Sequence, residues 1–98
     1  MRNLLNYMEF EDNEKIRATL LYHLRRKRVI GAKHTPFDTL KMGFPNYLGK
    51  EVVDVAKELI KKGFIITKPA PYGLQVSLNK ERLKEIEEII KNILGYEF

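Results

Sequence analysis

A mainly helical α+β fold is what this sequence predicts, and three observations predict it. Val52-Val53-Asp54-Val55-Ala56-Lys57-Glu58-Leu59-Ile60-Lys61-Lys62 has helical apolar spacing, stops at Gly63, and passes at once into β-branched Phe64-Ile65-Ile66. Leu74-Gln75-Val76-Ser77-Leu78 alternates apolar with polar, the pattern of a half-buried strand returning from a hairpin. Apolar stripes at three- and four-residue spacing flank both, Ile16/Leu20/Leu24 before and Leu83/Ile86/Ile90/Ile93 after.

Residues 1–13 read as an arm or short helix, with apolar Leu4, Leu5, Met8 and Phe10 beside acidic Glu9, Glu11 and Asp12. Asn13 is the expected cap of a first helix, with Glu14 in its first turn and Leu21 widening its stripe. That helix runs out through Arg25-Arg26-Lys27-Arg28, where cations suit the negative end of the dipole. Val29-Ile30-Gly31-Ala32 reads as a brief extended segment joining the sheet. Thr35-Pro36-Phe37-Asp38 predicts a second, short helix: Thr35 caps, Pro36 takes the first helical position, and Gly43 stops it. After the turn Phe44-Pro45, Asn46 caps a third helix with Leu48, Val52, Val55, Ala56 and Leu59 inward. Phe64–Lys68 and Leu74–Leu78 form a hairpin around Pro69-Ala70-Pro71-Tyr72-Gly73, and Asn79 caps a last helix.

Two helices joined by so short a turn and followed by a hairpin make a winged helix-turn-helix: a three-helix core with a β-hairpin wing and an added C-terminal helix. The domain spans 14–78, and 79–98 is the added helix. Ninety-eight residues, 44% of them hydrophobic, suffice for one folded domain. The chain has no cysteine, which excludes disulfides, thiolate chemistry and zinc fingers. No apolar run approaches the roughly 18 residues of a membrane span, and the start lacks a signal-peptide pattern, so the expected location is the cytoplasm. Lys, Glu and Ile are abundant while Gln occurs once, a usage leaning towards a heat-adapted source.

Charge placement points to a partner. The net charge is +5, yet residues 25–68 alone carry eleven basic and four acidic side chains. A cationic field concentrated on one part of a small domain attracts polyanions, because neutralising phosphates releases counterions. At about 100° per residue, Lys50, Lys57 and Lys61 fall opposite the apolar stripe of the third helix, with Asp54 among them. In a major groove, Asn46, Tyr47 and Lys50 would approach base edges, while Lys57 and Lys61 would meet phosphate. Arg25, Arg26, Lys27, Arg28 and Lys33 form the densest cation block and would grip backbone, with His34 beside them. The hairpin offers Lys68 and Tyr72. Against all this stands a solvated face laced by Lys50–Asp54 and Glu58–Lys62 pairs at four-residue spacing.

His23 sits near the apolar side of the first helix, where a satisfied, partly buried imidazole is expected. With no cysteine and no close carboxylate–histidine spacing, no metal or other cofactor is expected. Ser77 is the single serine and there is no glycine-rich phosphate loop, so an enzyme is not expected. Leu83, Ile86, Ile90 and Ile93 would pack on the first helix or pair two subunits, and the second option predicts a homodimer.

Residues Glu14 to Leu78 resemble the winged helix-turn-helix regulators of archaea, most strongly over the stretch from Val52 to Ile65 quoted above. The segment His34-Thr35-Pro36-Phe37-Asp38-Thr39-Leu40-Lys41-Met42-Gly43-Phe44-Pro45 is similar to small archaeal proteins. The resemblance implies duplex DNA binding by the third helix, a role in transcription regulation, and often a homodimer. Two other functions stay open on the residues. One is an RNA-binding module in which Tyr47 or Tyr72 stacks on unpaired bases. The other is a protein adaptor that docks through the last helix.

Overall fold

The structure, a computed structural model, describes residues 13–98. The expected arm at 1–13 lies outside the described residues apart from Asn13. Among those described are three α-helices, α1 (Asn13–Arg26), α2 (Gly49–Lys61) and α3 (Leu83–Leu94). Three strands form one antiparallel sheet: β1 (Thr35–Pro36), β2 (Ile65–Ala70) and β3 (Gly73–Leu78), in the order β1-β3-β2. Short 3-10 segments at Phe37–Lys41, Asn46–Leu48 and Lys80–Arg82 lead between them. The fold is therefore α+β and mainly helical, and its element order is compatible with a winged-helix layout.

The stripe of α1 is buried as its spacing requires, with Ile16, Leu20, Leu21 and Leu24 all at or below 3% exposure. Its end is a Schellman turn: Val29 N–H donates to the Leu24 carbonyl and Arg28 N–H to that of Arg25. Arg28 occupies the left-handed position at φ +59°, where glycine is usual and an L side chain costs about 1–2 kcal/mol. The end of α2 has the same turn with the expected glycine. Gly63 (φ +85°) donates to Ile60, Phe64 donates to Leu59, and the chain leaves directly into β2.

β3 is the central strand. It pairs with β2 from Ile65↔Leu78 to Ala70↔Gly73 and with β1 through Thr35↔Val76 and Pro36↔Gln75. Pro36 and Pro69 both lie on outer strands, the places where a residue without an N–H is tolerated. Val76, Leu78 and Ile65 join α1, α2 and α3 in a single core.

Several local expectations are corrected. Thr35 does not cap a helix: it pairs with Val76, and its Oγ1 lies 3.1 Å from Thr39 Oγ1. The second helix is a five-residue 3-10 segment, and Pro36 precedes it in extended conformation (φ −61°, ψ 142°). The strand expected near Val29–Ala32 is only a single bridge, Ile30 to Leu78; the paired strand lies at Thr35–Pro36. Asn46 does not cap α2. It begins a 3-10 turn, and α2 starts at Gly49 after Leu48, which makes no side-chain cap.

The hairpin is longer than expected, because Pro69 and Ala70 still pair and only Pro71–Tyr72 turn. β3 is not half-buried either: Gln75, Val76, Ser77 and Leu78 are all buried, and only Gly73 and Leu74 at its start are exposed. The polar Ser77 is tolerated inside because its hydroxyl donates to the Gly31 carbonyl at 2.9 Å. Asn79 does serve as a cap. Its side chain accepts from Glu81 N–H, although through a 3-10 turn that precedes α3.

Part of the α3 stripe packs within the chain. Ile86 and Ile90 have 0% exposure in the core with α1, each burial worth about 1.5–3 kcal/mol. Leu83 and Ile93, the other two residues of the expected interface, are half-buried. The single-core arrangement joins 79–98 to the same domain as 14–78.

Gly43 and Arg28 give opposite expected outcomes in urea unfolding. A Cβ on Gly43 (φ +90°) would lie 2.7 Å from His23 Cε1, so Gly43→Ala should destabilise by at least about 1–2 kcal/mol. Arg28→Gly relieves a left-handed arginine and should raise the midpoint, by up to about 1 kcal/mol of stability. An unchanged midpoint for Gly43→Ala would show that the turn relaxes around the ring.

Candidate nucleic-acid interface

The candidate surface is built around α2, whose apolar side is fixed by Val52, Val55, Ala56 and Leu59. At about 100° per residue the opposite ridge carries Lys50, Asp54, Lys57 and Lys61, and all four are exposed. Lys50 Nζ lies 3.3 Å from Asp54, one turn along the helix, as the solvated-face alternative expects. Both groups are so open to solvent (side chains 86% and 61% exposed) that such a pair contributes little and can be exchanged for phosphate. Lys57 and Lys61 have no ion-pair partner among the described residues.

Glu58, paired with Lys62 as the solvated-face alternative expects, also reaches across to α1. Its carboxylate accepts from Arg17 on α1 at 3.0 Å and pairs with Lys62 at 3.3 Å. The Arg17 hydrogen bond first, then that from Lys62, hold the Glu58 carboxyl below the usual glutamate range. Its charge is thus used to tie α1 to α2. Glu51, Asp54 and Glu58 line an open cleft beside Asn13, so carboxylates gather where α2 meets the start of α1, with Asp54 shared between that cleft and the outer ridge.

The turn before α2 is set by His23. Its ring meets Phe44 edge-on at 5.4 Å and occupies the space that any side chain at Gly43 would need. Burial, followed by the nearby charges of Arg26 and Lys27, pushes the His23 pKa below its ordinary value and keeps the ring neutral. This agrees with the partial burial expected from its position. Among the described residues no three His, Cys, Asp or Glu side chains gather where a metal ion would sit, and no helix is long and apolar enough to cross a membrane.

The expected cation block does not act as one. Arg25 is drawn to α3, where Nε lies 2.7 Å from Glu87 and the guanidinium covers Phe98 at 4.8 Å. Arg26 stands nine residues after Arg17, about two and a half turns, and so lies on the side of α1 opposite to α2. Neither is placed to hold a duplex seated on α2. Lys27 is exposed and lines a small cavity with His23, Thr39 and Met42, at the approach to the turn. Arg28 and Lys33 are exposed and His34 is half-buried, all on the loop leading into β1.

Asn46 and Tyr47 are exposed in the 3-10 turn before α2, Tyr47 to 63%. Lys68 is exposed on β2, and Tyr72 stands 81% exposed at the hairpin tip. Two residues at this surface escaped the sequence argument. Lys41 crosses the first turn of α2, its Cδ lying 3.6 Å from where a Gly49 Cβ would stand. Met42, 67% exposed, follows it. The missing side chain at Gly49 was the only signal in the sequence, and it does not say which residue crosses there.

Compared with known proteins, the chain matches no family model, no curated protein and no solved structure.

Acid should lower the protein's stability over two separate pH ranges. His23 has a folded pKa below its ordinary 6.5, so the unfolded chain takes up the proton first; stability is full above about 6.5 and falls as pH drops towards the folded value. Glu58 has its folded pKa below 4.5, so its contribution persists above about 4.5 and is lost as pH falls through the lowered value. His23→Gln should flatten the upper stage of a urea-midpoint profile and leave the lower one. Arg17→Ala should diminish the lower stage alone.

Proposed function

We propose that the chain is a winged helix-turn-helix protein that binds duplex DNA, acting in transcription regulation. In this proposal α2 enters the major groove and the β2–β3 hairpin lies alongside as a wing. The observation that carries it is the outer ridge of α2, where exposed Lys57 and Lys61 lack an ion-pair partner among the described residues and Lys50 holds only a solvated one. A helix packed on its core by one face needs no such ridge for stability, and a groove lined by phosphates gives it a counterpart.

Roles divide by position along the helix. Asn46, Tyr47 and Lys50 stand at the leading end and would meet base edges, joined by Lys41 across Gly49. Lys57 and Lys61, further along, would meet phosphate, with Lys27 approaching from the turn side. Arg25 takes no part, since Glu87 and Phe98 hold it on the other side of the domain. The hairpin contributes one cation, Lys68, and a tyrosine at its tip, so it supports the duplex more by shape than by charge.

Duplex binding measured across a salt series tests this. The wild type should hold a selected duplex at about 0.15 M salt, and Lys57→Ala or Lys61→Ala should each flatten the slope of log K against log salt by about 0.9. Lys50→Ala should change sequence preference, and Arg25→Ala should leave both slope and preference as they were. Parallel salt lines for the wild type and the double Lys57→Ala/Lys61→Ala variant would overturn the assignment of α2.

A further inference from the structure

We infer that the face of α1 turned away from α2 is a second site, which takes unpaired nucleobases by stacking; its ligand class is single-stranded nucleic acid. Gly95, at φ +81°, ends α3 and turns the segment 95–98 back across α1. There Tyr96 stacks on Tyr22 with ring centres 4.3 Å apart and planes 8° from parallel. Arg26 adds its guanidinium 5.9 Å from the Tyr22 ring centre, and Phe98 lies under Arg25 at 4.8 Å. Tyr96 remains 45% exposed and Phe98 55% exposed.

Such a surface has the chemistry that single strands use. An aromatic ring whose one face is stacked and whose other side is open extends readily by one more flat ring, and every base has a π-face to offer. A duplex has its base faces covered by their neighbours, so the same surface discriminates against it. Phosphates next to the stacked base have a path along Arg26 and Arg28, both exposed and without ion-pair partners among the described residues. Next to Phe98, Glu87 is held by Arg25 and Glu97 by Lys91 at 3.9 Å, and Glu88 shares their cleft with Lys84, so the carboxylates there are offset by cations.

This site shares no residue with the outer ridge of α2, so either assignment can fail without the other. The test is fluorescence anisotropy with three labelled probes: a thymidine strand of about 12 nucleotides, an abasic strand of equal length and charge, and a random duplex. The thymidine strand should bind more tightly than the abasic one. Tyr96→Ala should weaken the thymidine strand about fivefold or more, with little change for the abasic strand or duplex, and Tyr96→Phe should restore it. Arg26→Ala should weaken both single strands alike. Equal binding of thymidine and abasic strands by the wild type would overturn the proposal, as would an equal loss of both in Tyr96→Ala. Loss of thymidine binding in Lys57→Ala/Lys61→Ala would also overturn it, by moving the strand to α2.

Discussion

At the left-handed turn of Gly63 three elements of the domain are tied together. It ends α2, launches β2, and receives the start of α3 within a few residues. Asn79 Nδ2 donates to the Gly63 carbonyl at 2.9 Å, and Asn79 N–H donates to that of Phe64 at 2.9 Å. Arg82 lies over the Phe64 ring at 4.1 Å, donates to the Lys62 carbonyl and pairs with Glu85. The unsatisfied carbonyls that any helix leaves at its end thus become the attachment points of the next elements. A positive charge also sits where the α2 dipole is negative. Without that junction, the outer ridge of α2 would have no fixed orientation relative to the hairpin.

A second constraint acts at the opposite end of α2. His23 fills the space over Gly43, Phe44 is buried against it, and Lys41 crosses Gly49. Two glycines therefore serve the approach to the candidate surface for different reasons. Gly43 supplies a positive φ and room for a ring, while Gly49 leaves the first turn of α2 open to a lysine stem. The neutral state of His23 belongs to the same packing, since a protonated ring would have to be desolvated between Arg26 and Lys27.

Charge is sorted by this packing into surfaces with different chemistry. Arg17, Glu58 and Lys62 fasten α1 to α2, and Arg25 and Glu87 fasten α1 to α3. Both are inter-helix contacts at partly buried positions, where geometry is better fixed than at the surface. What remains open is a cationic ridge on α2 and an aromatic and arginine face on α1, on opposite sides of one small domain. The basic excess of residues 25–68 thus divides between structural pairing and two open surfaces.

Periodicity by itself determined the three α-helices of this protein, because burial on one face imposes the 3.6-residue repeat that the stripes of α1, α2 and α3 display; the alternation in β3 marked a strand but not its burial, since Gln75 and Ser77 are buried as well. It also determined the stop at Gly63, where few residues other than glycine take the required φ, and the outward ridge Lys50, Lys57 and Lys61, which follows from helical geometry alone. Tertiary structure decided the rest. Thr35-Pro36 has the local signature of a helix start, yet pairing with Val76 and Gln75 made it a strand, and local propensity yielded to the sheet. Ile86 and Ile90 carry the same stripe whether they meet α1 or another subunit, and only the packed core shows them at 0% exposure. Arg25 and Arg26 are adjacent in sequence but 100° apart around α1, so one met Glu87 and the other met Tyr22. A sequence records which charges a chain has; which of them stay unpaired depends on partners brought close from dozens of residues away.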